Sequence, residues 1–116
     1  AEFLTYRGYD LAKDLNYDLA IEFYARSIQS NPIYAKAYER RAEAQLALRR
    51  LDLALTDIAR SLELDDSVAE TWLTKGRILQ KKGDTAGAKE AVQKAIGLDP
   101  KNEAAKQMLE EISKEN

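Results

Sequence analysis

Apolar side chains recur along this chain at intervals of three and four residues. Leu4, Gly8, Leu11 and Leu15 fall at i, i+4, i+7 and i+11, one face of a helix. A second stripe follows at once in Tyr17, Ala20, Ile21, Tyr24 and Ile28, and Leu51, Ala54, Leu55, Ile58 and Leu62 repeat it. The short linkers LNYD, RRLD and KGDT separate paired stripes. In the third linker Gly83 is suited to the left-handed conformation that ends a helix, and Asp84 to capping the next. The pattern predicts helix hairpins.

The hairpins repeat with a fixed period. Pro32, Asp66 and Pro100 are spaced by 34 residues, and the same step aligns Ala1 with Ala35 and Ala69, and Leu4 with Tyr38 and Trp72. Gly8, Ala42 and Gly76 form a column of the smallest side chains, and Ala20, Ala54 and Ala88 are identical. Small residues on both helices let two backbones approach closely, with Leu4, Tyr38 and Trp72 filling the space beside them. These aromatics are therefore expected to be core. Tyr24, Ile58 and Val92 make a further apolar column, followed by the small Ser27, Ser61 and Ala95 and by Ile28, Leu62 and Ile96.

A unit of this length, with a large apolar residue, Gly or Ala four positions on, a central Ala, a later aromatic or aliphatic and a closing Pro, resembles the tetratricopeptide repeat. Three copies, 1–34, 35–68 and 69–102, cover most of a single domain, and the third is most similar to the family pattern. Asp66 in place of Pro, Gln45 in place of an aromatic or Leu, and Lys89 in an apolar column depart from it. The repeat fails beyond 102, yet Ala105, Leu109 and Ile112 keep a helical stripe, so 103–116 is expected to cap the array. The resemblance implies an all-α, right-handed superhelical α-solenoid of seven helices, whose concave wall comes from the first helix of each repeat.

Composition narrows the chemistry. The chain has 116 residues, with no Cys, no His and a formal net charge of −2. Thiolate and imidazole chemistry and disulfides are excluded, and nothing electrostatic favours nucleic acid or an acidic membrane. No stretch is apolar enough to span a bilayer and no leader precedes Tyr6, which gives the expectation of a cytoplasmic protein. GDTAGAK lacks the spacing of a phosphate-binding loop, and neighbouring acids such as Asp65 with Asp66, or Glu110 with Glu111, point apart or lie in turns. No catalytic, cofactor or metal site is expected.

The resemblance instead implies a groove. First-helix positions off the packing stripe place Thr5, Tyr6, Tyr9, Lys13, Lys36, Arg40, Glu43, Leu73, Thr74, Arg77 and Lys81 on its wall. Tyr6 and Tyr9 are candidate amphipathic anchors, and Arg40 and Arg77 candidate partners for carboxylate or carbonyl oxygen. For any one of these residues, ordinary helix surface is as good a reading; the face as a whole points to a protein-interaction module that binds a peptide segment. The alternative is a structural or engineered scaffold that stacks or self-associates through the uncapped first helix.

Members of the family it resembles that hold chaperone Hsp70 and Hsp90 tails use a Lys, Asn, Asn, Lys, Arg clamp. Those roles would fall here on Thr5, Tyr9, Arg40, Glu70 and Thr74. Only Arg40 could hold a carboxylate and Glu70 would repel one, so a co-chaperone role in tail binding is the lesser reading.

Overall fold

The computed structural model describes residues 1–114, and among them every regular element is an α-helix. In order these are α1 (Glu2–Lys13), α2 (Tyr17–Ser30), α3 (Ala35–Ala47), α4 (Leu51–Leu64), α5 (Ala69–Lys82), α6 (Thr85–Leu98) and α7 (Glu103–Lys114). The second helices α2, α4 and α6 begin and end in step with the sequence period, each 14 residues long. None of the helices is long and apolar enough to cross a membrane. The helices form two compact units, Ala1–Asp65 with α1 to α4 and, from Asp66 onward, α5 to α7.

Why each hairpin closes is visible at its small residues. A Cβ built on Gly8 would lie 2.5 Å from Tyr24 Cε1 and 3.1 Å from the Ala20 carbonyl oxygen, so α1 and α2 touch there only because the position is bare. In the second unit Gly76 does the same against Val92, whose Cγ2 would be 2.8 Å away. Ala20, Ala54 and Ala88 are fully buried. In the first unit α3 docks on this hairpin through Ala44, which joins a buried cluster with Ala20 and Tyr24, flanked by Leu11, Ala12, Tyr17 and Ile21.

The hairpin turns repeat in detail that the sequence hides. Backbone N–H groups of Leu15 and Asn16 bond back to Ala12 and Leu11, those of Arg49 and Arg50 to Leu46 and Gln45, and those of Gly83 and Asp84 to Gln80 and Leu79. This is one helix-ending motif used three times, and it needs a left-handed residue at its centre. Leu15, Arg49 and Gly83 supply φ values of 64°, 63° and 87°. The expectation that Leu15 extends the apolar face of the first helix is therefore corrected. It lies beyond the end of α1, 73% exposed in the turn. A turn fixed by backbone geometry can put a leucine outside when no neighbouring helix reaches it.

The large residues that open the first helices also act alike. Tyr38 donates its hydroxyl to the Pro32 carbonyl at 2.8 Å, and Trp72 donates its indole N–H to the Asp66 carbonyl at 2.8 Å. Asp66 thus keeps the acceptor that Pro32 provides, whatever its own ring-less backbone. Arg41 and Arg60 lie over the Tyr38 ring, and Lys75 and Lys94, one period on, over Trp72. Tyr38 is buried, as expected of a core residue, whereas Trp72 is half-buried under its lysines.

Ser27 and Ser61 show a third repeated contact, each hydroxyl donating to the carbonyl that starts its hairpin, Ala1 at 2.7 Å and Ala35 at 3.0 Å. The Ser27 proton is committed to Ala1, so Thr5 donates in the 2.7 Å Thr5–Ser27 bond. α7 packs on α6 through Ala105, Met108 and Ile112, and its start is capped by Asn102, whose side chain accepts from Ala105 N–H at 3.1 Å. The expected capping segment extends to 116; its last two residues lie outside the described ones.

Candidate functional site

The candidate site lies within the first unit, on the face where α1 and α3 run side by side. A cavity of about 180 Å³ opens there, lined by Glu2, Thr5, Tyr6 and Tyr9 of α1, by Lys36 and Arg40 of α3, and by Tyr34 just before α3. Helical spacing puts Glu2, Thr5, Tyr6 and Tyr9 on one side of α1, and Lys36 and Arg40, four apart, on one side of α3. Thr5 is held at the floor, 4% exposed, with its hydroxyl spent on Ser27. Tyr6 and Tyr9 rise from that floor as exposed rings.

Arg40 organises the middle of the site. Its guanidinium lies 4.0 Å from the centroid of the Tyr9 ring, and its Nη1 donates to Glu43 Oε1 at 3.0 Å. Burial would pull Arg40 below its usual pKa, but Glu43, by charge and by that hydrogen bond, together with Glu39 and Tyr9, holds it above. Lys36 lies 3.6 Å from Glu39, which is itself buried. Lys13 stands 5.4 Å from the centroid of the Tyr9 ring and 3.6 Å from Asp10. Burial raises the Tyr34 hydroxyl, and Glu2 raises it further while Arg40 opposes. Both cations of the cavity wall therefore already face carboxylates.

Of the residues expected on a binding face, Thr5, Tyr6, Tyr9, Lys36 and Arg40 come together in this one cavity, with Lys13 and Glu43 flanking it. The second unit treats its candidates differently. Leu73 is 1% exposed and Thr74 fully buried, so neither offers a surface to a ligand. Both lie on a side of α5 that is covered, and the expectation that they line a groove is corrected. Arg77 reaches Glu70 at 3.5 Å, a long contact on a half-exposed surface, and Lys81 is exposed in the last turn of α5. Tyr34 was missed because it sits in a turn after Asn-Pro-Ile, outside every helical stripe. The aromatic immediately ahead of a first helix was the only signal.

Comparison with known proteins places this architecture. A family model described as "Tetratricopeptide repeat" matches residues 69–102. The first tetratricopeptide domain of Spaghetti (RPAP3), solved bound to an HSP90 peptide SRMEEVD, superposes with a TM-score of 0.94 at 24% identity, covering 97% of this chain and 92% of that one. It belongs to the tetratricopeptide-repeat family.

The second tetratricopeptide domain of human RPAP3, solved in complex with an HSP70 peptide SGPTIEEVD, aligns with a TM-score of 0.89 at 27% identity over 95% of this chain and 92% of that one. In sequence, RNA polymerase II-associated protein 3 of Xenopus tropicalis is 32% identical over 109 residues, 94% of this chain and 17% of that protein. This tetratricopeptide chain spans less than a third of the length of the first curated relatives it matches. The all-α helical-repeat class is the one that the resemblance implied.

Proposed function

We propose that this tetratricopeptide domain is a non-catalytic protein-interaction module that binds a peptide segment of a partner on the α1 and α3 face. The observation that carries the reading is the cavity itself. Exposed tyrosine rings and a guanidinium over one of them, on two adjacent helices, form a concave amphipathic surface rather than a solvated helix face. The two solved relatives that hold chaperone peptides support it by analogy of fold. In the second unit, taken by itself, Arg77 and Lys81 of α5 are separate candidate contacts.

A direct test is selection of peptides by the intact domain, followed by titration calorimetry of the best binder with Tyr9→Ala and Arg40→Ala. The expected outcome is at least a tenfold loss of affinity in each variant with unchanged helicity by circular dichroism. Binding indifferent to both changes would remove this face from the function. Tail binding of the chaperone type is the weaker form of the proposal. Of the five positions that would hold a carboxylate, Thr5 and Thr74 are buried, Glu70 is acidic, Arg40 is already engaged by Glu43 and Tyr9 lies under the Arg40 guanidinium.

One observation favours the scaffold reading as an alternative. Phe3 is 71% exposed on α1, whereas its counterpart one period on, Ala37, is fully buried. Leu4, the obvious residue to charge in such a test, is half-buried, so Phe3 is the better probe. Sedimentation over a range of concentrations would show dimers dissolved by Phe3→Glu if self-association is the role, and a monomer throughout if it is not.

A further inference from the structure

We propose that the tyrosine-walled cavity selects a single uncharged side chain, aliphatic or aromatic, and rejects acidic residues. The inference rests on the peptide-binding reading above and names the ligand chemistry of the same site. Size comes first. At about 180 Å³ the cavity is smaller than the roughly 300–1,000 Å³ of small-molecule sites, so it admits one side chain and not a cofactor-sized group.

Charge comes second. The lining carries Lys36 and Arg40 against Glu2, and Glu39 and Glu43 stand directly behind the two cations at 3.6 and 3.0 Å. Three carboxylates, Glu2 on the lining with Glu39 and Glu43 paired to its cations, thus stand against Lys36 and Arg40, while the flanking Lys13 is itself paired with Asp10. An incoming carboxylate would meet guanidinium and ammonium groups that are already compensated, and would bring a fourth negative charge close to the others. A lysine would gain from that excess but would have to enter beside two fixed cations.

The wall decides what remains. The rings of Tyr6, Tyr9 and Tyr34 offer apolar surface, and the Thr5 hydroxyl on the floor points its proton away to Ser27. An apolar side chain therefore desolvates ring surface without stranding a buried donor or charge. Arg40, over the Tyr9 ring and bonded to Glu43 through Nη1, has further N–H groups with which to meet a backbone carbonyl of the bound segment.

The experiment is selection of a phage-displayed random heptapeptide library on the intact domain, in parallel on Tyr6→Ala and on Arg40→Ala. The resulting binder is compared with the peptide SRMEEVD by fluorescence anisotropy at low and high salt. Tyr6 is 64% exposed, so its replacement leaves the helices folded. The expected result is one position enriched in Leu, Ile, Met, Phe or Tyr, lost on Tyr6→Ala, with SRMEEVD at least tenfold weaker than the selected peptide and little salt dependence. Enrichment of Asp or Glu, lost on Arg40→Ala and weakened by salt, would overturn the selectivity while leaving peptide binding intact. Apolar enrichment that survives Tyr6→Ala would also overturn it, by moving the anchor elsewhere. A library with no enriched sequence would overturn the peptide-binding reading itself.

Discussion

Gln45 occupies a column that holds leucine one period either side, at Leu11 and Leu79. It is buried on α3, and its Oε1 has no hydrogen-bond partner. An amide oxygen taken from water without a partner costs about 1–3 kcal/mol, so Gln45→Leu is expected to stabilise the domain by about 1 kcal/mol while filling the same volume. Urea unfolding checks this. The midpoint should rise with no change in slope, and a fall would mean that the amide group makes a contact the column does not need elsewhere. The neighbouring Arg41 shows the opposite case. Its Nε and Nη2 bond both Asp57 oxygens at 2.7 and 2.8 Å, which holds the guanidinium above its usual pKa against the pull of burial. A polar side chain taken from water is tolerated where its partners are supplied and penalised where they are not.

Among the elements, the turn after each first helix is the most telling. Glycine takes the left-handed centre of that turn without steric cost, whereas an L side chain there costs roughly 1–2 kcal/mol. Gly83 meets nothing within 4 Å, so only its backbone angle requires glycine. Arg49→Gly is accordingly expected to stabilise the domain by about 0.5–1 kcal/mol once the greater freedom of glycine in the unfolded chain is deducted, and Gly83→Ala to destabilise it by about 1 kcal/mol. Thermal unfolding of the two variants should move in opposite directions; equal shifts of one sign would contradict the common turn geometry. The helices themselves were legible in advance because their stripes follow a fixed period. Leu15 and Arg49 were not, since nothing in their chemistry advertises a positive φ and only the partner carbonyls of Leu11 and Gln45 impose it.

For the whole molecule, the buried tyrosines set a limit at alkaline pH. Burial pushes the Tyr24 hydroxyl far above its ordinary value of 10.0, Glu43 and Tyr9 adding to the rise and Arg40 opposing it, and burial raises Tyr34 as well. A phenol with a raised folded-state pKa binds its proton more tightly in the folded chain. Its contribution to stability is therefore complete below pH 10 and is lost as pH climbs above that value, where the unfolded chain ionises and the folded one does not. Tyr24→Phe keeps the ring that meets Gly8 and removes the ionisation. Urea unfolding at pH 8 and pH 11 should show a smaller loss of stability for this variant than for the parent chain, and equal losses would mean that Tyr24 reaches water in the folded state.

The 34-residue spacing and the alternation of bulky and minimal side chains determined, by themselves, the number of hairpins and where their axes meet, because a helix exposes its faces at a fixed angular step. The cavity wall was half visible in the same way, since Thr5, Tyr6, Tyr9, Lys36 and Arg40 follow from position along their helices. Tertiary structure alone decided that Arg40 stacks on Tyr9, that Tyr34 swings in from a turn, and that Leu73 and Thr74 are covered. Those outcomes depend on which residues distant in the chain share the same few ångströms, and a periodic pattern carries no information about that distance.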